Sequence, residues 1–227
     1  MPDLSIITIT YGQPDLLNRF LAEIPLDPKI ELVVVDDCGD PPVEKRPSID
    51  QLFRIDEDIP WNQPGARNLG IVHAKAPVLL IVDNDMRPQA FQTAQWLAAA
   101  RTLKANHVII PAVRYPSGEL NLSHPHNYLI RRDDMVRMGG YDEDYAGAYG
   151  WEDVQQINLF MMMFEVRHAA ELFIDHHGGG VEKLERNTSR NQRLHLRKAR
   201  DIETVGAHKW CSERKGSNLR FRWHQVH

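Results

Sequence analysis

Val78-Leu79-Leu80-Ile81-Val82-Asp83-Asn84-Asp85 is the stretch whose reading decides the fold. Five apolar residues run without polar alternation and stop at two carboxylates. A strand with no polar alternation is covered on both faces. The same form recurs upstream. Leu4 to Thr10 is a short β-branched run followed by Tyr11, and Ile30 to Val35 is a continuous apolar run ending at Asp36-Asp37. Helical patterns lie between. Pro14 opens one, with Leu16, Leu17, Phe20, Leu21 and Ile24 at helical spacing, and proline is favoured at a first helical position. Gly65 to Ala76 reads as a second helix and Ala90 to Leu103 as a third, before the strand-like run Val108 to Val113. Strands separated by helices predict an α/β fold with a mainly parallel sheet. Ligands of such sheets bind beyond the carboxyl ends of the strands. Thr10-Tyr11, Asp36-Asp37 and Asp83-Asn84-Asp85 are therefore expected to converge on one edge.

The second half is less regular. Tyr128 to Arg131 reads as a strand, and Asp134 to Met138 as a short helix ended by Gly139-Gly140. Trp151 to Phe164 reads as a helix with Leu159, Phe160, Met162 and Met163 turned inward, and Met161-Met162-Met163 is assigned to the core. Val166 to Ile174 reads as a strand leading into Asp175-His176-His177 and three glycines, which could hinge a closing loop. From about Lys183 the chain turns basic, with Arg186, Arg190, Arg193, Arg197, Lys198 and Arg200 in one segment. Residues 181–227 are expected to form a basic extension, helical or a loop plus a helix, behind a main domain of residues 1–180.

The 227 residues fit one large domain, or one domain with a tail. A net charge of −4 argues against a protein built to bind nucleic acid. Cys38 and Cys211 cannot make a disulfide framework and suit a reducing compartment. The first residues show no signal-peptide pattern, and no apolar run approaches the ~20 residues of a membrane span. A cytoplasmic protein is expected, with peripheral membrane contact left open.

Asp83 and Asp85 leave their strand at i and i+2, so both carboxylates can reach one cation from the same side. Carboxylate oxygens suit Mg²⁺ and Mn²⁺. Magnesium keeps several waters and is completed by substrate phosphates, so few protein ligands suffice where a diphosphate binds. A D-x-D triplet alone reads better as a solvated turn than as a site. The buried strand before it and the two other strand-end clusters favour a site.

With these residues assembled, the chain resembles the GT-A-fold glycosyltransferases, in particular the family 2 enzymes. Leu4 to Tyr11 is similar to the family's opening strand, and Val33-Val34-Val35-Asp36-Asp37 to its second-strand motif. Gly65-Ala66-Arg67-Asn68-Leu69-Gly70 is similar to its helix after the third strand, and Asp83-Asn84-Asp85 stands at the D-x-D motif. Gly139-Gly140-Tyr141-Asp142-Glu143 and Gly150-Trp151-Glu152-Asp153 match two later motifs. Ile174-Asp175-His176 resembles a segment that supplies a metal-binding histidine in several relatives, of the galactosyltransferase and chondroitin-polymerase type. The resemblance implies a Rossmann-like three-layer α/β/α domain over residues 1–180.

It also implies roles. Asp37, beside Asp36, would hydrogen-bond the uracil of a UDP donor; Thr10 and Tyr11 would line the base and ribose pocket; Arg67 would approach the nucleotide or diphosphate. Asp83 would contact ribose or metal with Asn84 beside it, and Asp85 would bind Mn²⁺ or Mg²⁺ directly. His176 would complete the metal site; the adjacent His177 leaves the register open, with His176 preferred. Trp151 would stack on a sugar ring, or pack in the core. Glu152 or Asp153 would take the acceptor proton, and the family pattern favours Asp153; both also suit the first turn of a helix. Direct displacement with one base implies inversion. The acceptor would be a carbohydrate, a lipid-linked or another hydroxyl. His124 and His126 read as loop residues, and Trp61 as packing or loop structure. A catalytically inactive binding module of the same fold and a nucleotidyltransferase are the competing classes. The latter would carry a glycine-rich basic loop after the first strand, which Thr10-Tyr11-Gly12-Gln13-Pro14 is not.

Overall fold

A computed structural model describes residues 1–122, 124, 126–178, 185–214 and 218–227. In chain order its elements are β1 (Leu4–Thr10), α1 (Pro14–Glu23), β2 (Ile30–Asp37), β3 (Gln51–Ile55), α2 (Gln63–His73), β4 (Val78–Ile81) and β5 (Met86–Pro88). There follow α3 (Thr93–Thr102), β6 (His107–Arg114), β7 (Leu120–Asn121), β8 (Tyr128–Arg131), α4 (Arg132–Arg137), α5 (Glu152–Met163) and β9 (Glu165–His176). The chain ends with α6 (Ser189–Val205), α7 (Ala207–Arg214) and β10 (Trp223–Val226).

The strands join one sheet in the order β10-β3-β2-β1-β4-β8-β6-β9-β5, with β7 on β6. Its core is the parallel set β3-β2-β1-β4. Every residue of β1 and β2 is buried, as the unbroken apolar runs require. Beyond β4 the pairing is mixed: β8 runs antiparallel to β4 and β6, and β9 runs parallel to β6.

Helices cover both faces. Leu17, Phe20 and Leu21 of α1 and Trp96 and Leu97 of α3 pack with Ile6, Leu80 and Val34 on one side. Ala66 and Leu69 of α2, Leu159 and Phe160 of α5, and Trp210 of α7 pack with Ile7, Val33 and Ile81 on the other. The alternate side chains of β1 thus feed opposite cores. This is the three-layer α/β/α arrangement.

The expected elements are present with shifts of a few residues at their ends. Strand β3 is an addition. Two corrections concern α5. Met162 and Met161 do not enter the core; they are 57% and 64% exposed. Met163 is the one of the three that packs against the core. The segment after 180 contributes α6, α7 and β10, and β10 pairs antiparallel with β3. Gly179, Gly180 and Lys183 lie outside the described residues, as does the 180/181 boundary. Cys38 and Cys211 are not joined in a disulfide. No helix among the described residues is long and apolar enough to cross a membrane.

Candidate active site

Beyond the carboxyl ends of β1, β2 and β4 a cleft of about 250 Å³ opens. Thr10, Tyr11, Asp37, Asp83, Asn84 and Asp85 line its sheet side, and Tyr149, Gly150, Glu152 and Asp153 face them from the start of α5. The three strand-end clusters therefore meet at one edge, and the later Glu152-Asp153 pair meets them.

On the β2 side, the two adjacent aspartates separate. Asp36 is buried and its carboxylate accepts from the backbone N–H of Gly39 at 2.8 Å and of Val43 at 3.0 Å, and from Arg54. It fixes the loop after β2 and is not among the residues that line the cleft, although the sequence placed it with Asp37 at the donor. Gly39 passes so close to Gly12 that a Cβ there would lie 2.5 Å from the Gly12 nitrogen. Asp37 points into the cleft and accepts from Asn62 Nδ2 at 3.1 Å. Burial pushes its carboxyl up to about 7. Tyr11 donates its hydroxyl to Asp58, and Asn84 Nδ2 donates to Thr10 Oγ1 at 3.2 Å.

At the end of β4, Arg67 of α2 is 1% exposed. It donates to Asp83 at 2.7 Å, and its second terminal nitrogen lies 3.9 Å from Glu152. Burial opposes its charge, but Asp83, Tyr141 and Glu152 more than offset that. Arg67, expected to approach the nucleotide or diphosphate, lies beneath the cleft and is not among the residues that line it. Burial alone would raise Asp83; Arg67 and then His126 hold it below the ordinary carboxylate range. Asp85 lacks such a partner, and burial followed by the charge of Asp83 pushes it up to about 7. Burial and then Asp153 push Glu152 up to about 7.

His176 ends β9, where Met86 pairs with it in register. Its Nε2 lies 3.7 Å from Asp85 Oδ2. His177 turns the other way, with Nε2 3.5 Å from Glu23 of α1. Glu23 in turn binds Arg87 at 2.6 Å. Of the adjacent pair, His176, the one preferred from the sequence, faces the acidic edge, and His177 lies against Glu23. Among the described residues no three His, Cys, Asp or Glu side chains gather as a ready metal cage. Carboxylate and imidazole at one edge nonetheless fit Mn²⁺ or Mg²⁺ whose other ligands are phosphate and water.

For Trp151, read either as stacking on a sugar ring or as packing, the structure shows a packing contact. Trp151 takes a left-handed φ of 75° before α5, and its ring packs 4.8 Å from that of His195 rather than lining the cleft. Tyr11, Trp61 and Tyr149 are aromatic residues at the cleft, the last two with ring centres 4.6 Å apart. Sequence reasoning also missed His126. Its Nε2 lies 3.1 Å from Asp153 Oδ2 and its Nδ1 3.8 Å from Asp83 Oδ2, bridging the two acidic groups. No local pattern marks it; its contacts join residues far apart in the chain and exist only in the folded molecule. Asn62 and Arg186, which also line the cleft, carried no signal of their own.

This sheet, with a cleft joining the β4 acids to the start of α5, is the arrangement of a GT-A-type fold. The profile of Glycosyl transferase family 2 matches residues 5–165, and the chain belongs to that family. Among solved structures it is similar to the mannosyltransferase PcManGT from Pyrobaculum calidifontis, seen in complex with GDP-Man and Mn²⁺. The TM-score is 0.61 at 16% identity, over 94% of this chain and 74% of that one. It is similar also to residues 1–349 of S. aureus TarS in complex with UDP-GlcNAc. There the TM-score is 0.65 at 15% identity, over 94% and 71%. At such identities the likeness is one of fold. No curated protein matches the chain.

Proposed function

We propose that this glycosyltransferase moves a sugar from a UDP-sugar to an acceptor hydroxyl, with inversion and with Mn²⁺ or Mg²⁺ bound. One observation carries the reading: Asp83 and Asp85 share a cleft with Glu152 and Asp153, although about 70 residues separate the pairs. A donor diphosphate needs the first pair and an acceptor hydroxyl needs a base from the second.

Asp37, an acceptor held by Asn62, suits the imide N–H of uracil, with Thr10 and Tyr11 beside it. Asp85 and His176 would hold the divalent cation, which when bound neutralises charge on the diphosphate. Both similar structures hold nucleotide sugars and one holds Mn²⁺, which favours the same ligands here. Asp153 takes the proton as the acceptor O–H breaks. The acceptor oxygen forms the new bond to the anomeric carbon, and the old bond's electron pair leaves with the nucleoside diphosphate. His126 and the Val154 backbone N–H, which donates at 2.7 Å, orient the Asp153 carboxylate. Arg67 holds Asp83 and Glu152 in place from below. Arg186, at the cleft rim, lies 5.7 Å from the Tyr149 ring.

The test is nucleotide release from a panel of nucleotide sugars, with Mn²⁺, with Mg²⁺ and with chelator. Turnover is expected with one UDP-sugar, lost on chelation and restored by Mn²⁺. Asp85→Ala should abolish it with an unchanged melting curve, and retained turnover would refute the metal assignment. Asp153→Asn should leave donor affinity intact and slow transfer by ~10²–10⁴. Equal loss of binding and transfer would remove Asp153 as the base. Binding without turnover in every arm would mark an inactive module.

A further inference from the structure

Helix α6 holds the acceptor side of the cleft together. Asn191, fully buried, donates its amide to the carbonyls of Tyr145, Ala148 and Gly150 at 2.8–2.9 Å. Arg190 donates to the carbonyls of Ala146 and Asp144. Gly150 and Arg186 line the cleft itself, so the helix starts at its mouth.

Away from that point the helix presents Arg190, Arg193, Arg197 and Arg200, all exposed. Their spacing of three and four residues places them on one face, roughly 5–6 Å apart. The stripe runs about 15 Å along the axis, at ~1.5 Å per residue. Arg190, Arg193 and Arg197 border a groove of about 690 Å³ whose far side is Arg220 and Asp144. The acids of the groove are already engaged: Glu143 accepts from the Asn68 amide at 2.8 Å and from the Leu219 N–H at 2.9 Å. Asp144 is paired with Lys198 at 2.7 Å and Arg220 at 3.0 Å, and Asp142 with Lys198 at 2.6 Å. Among the described residues no acid pairs with Arg193 or Arg197. Among the described residues, two guanidinium forks thus face a groove whose acids, Asp144 and Glu143, already have partners of their own.

We infer that this groove binds the acceptor, and that the acceptor is a saccharide chain bearing repeated oxyanions. This rests on the transferase reading above. Guanidinium forks match phosphate and carboxylate groups bidentately. A stripe leading out of the cleft fits a chain whose terminal hydroxyl reaches Asp153 while its next repeats lie along α6. Nucleic acid fits less well: the aromatic rings near the stripe, Trp210 and His195, are buried and offer no stacking platform. An anionic membrane also fits less well, since Leu196 is the lone large apolar side chain exposed along it among the described residues.

The test measures binding of the full chain to polygalacturonate, to phosphate-substituted dextran and to plain dextran. Competing arms are a 20-mer single-stranded DNA and phosphatidylglycerol vesicles. The wild type is compared with the double variant Arg193→Gln, Arg197→Gln. One or both anionic saccharides should bind, and which one identifies the oxyanion. Plain dextran should not. The double variant should lose tenfold or more in affinity, with a shallower salt dependence and an unchanged melting curve. Equal binding by the variant, equal binding of plain dextran, or tighter binding to DNA or vesicles would overturn the inference. Donor turnover by the wild type is measured separately. Turnover without saccharide binding removes the surface alone; binding without turnover removes the acceptor role through the reading it depends on.

Discussion

Arg67 is a charge placed where water cannot reach it. Desolvating a guanidinium is costly unless acids surround it, and here Asp83, Glu152 and the face of Tyr141 do. Its position under the cleft explains why Asp83 stays ionised while its neighbour Asp85, lacking that partner, is pushed up to about 7. Asp37 is the opposite case, a carboxyl buried without a cation. Its ordinary value of 3.8 rises to about 7 in the fold. Between those values the folded chain holds a proton that the unfolded chain releases, so stability falls as pH rises from about 4 to about 7. Asp37→Asn removes that dependence. In thermal melts the variant should match the wild type near pH 4 and exceed it increasingly towards pH 7.5. Parallel curves would mean that Asp37 ionises as an ordinary surface acid does.

At the scale of elements, the helices are set by how closely they approach the sheet. Gly70 of α2 faces β1, and a Cβ there would collide with the Ile7 side chain. Gly70→Ala should therefore destabilise by about 1–3 kcal/mol through overpacking, read as a lower denaturant midpoint with unchanged slope. An unaltered midpoint would mean that Ile7 repacks freely. Strand β3 escaped the reading of the sequence for a local reason. Gln51-Leu52-Phe53-Arg54-Ile55 is short and polar-interrupted, and follows a proline- and charge-rich loop. Gln51 and Arg54 look like surface residues until Glu31 and Asp36 are brought beside them. The exposure of Met161 and Met162 has the same origin: three consecutive positions on a helix cannot all face one core.

For the whole molecule, the late segment is tied into the early one. β10 covers the outer edge of β3, and Trp223 packs edge-on against Phe53 and His73. Removing residues 223–227 should cost about 2 kcal/mol from lost aromatic burial and bare a strand edge that favours self-association. Unfolding midpoint and light scattering check both, and an unchanged pair of values would show the edge to be dispensable. The sequence by itself determined the layered α/β class, the parallel strands β1, β2 and β4, and the acids at their ends. Unbroken apolar runs and turn residues act over a few positions, and those are legible along the chain. Only the tertiary structure decided that Asp36 serves its own loop while Asp37 faces the cleft, that His176 rather than His177 meets Asp85, that Trp151 gives way to Trp61, and that His126 bridges Asp83 and Asp153. Each of those depends on which distant side chain arrives alongside. Such arrivals are set by packing across the sheet, and adjacent residues in one strand point to opposite sides of it.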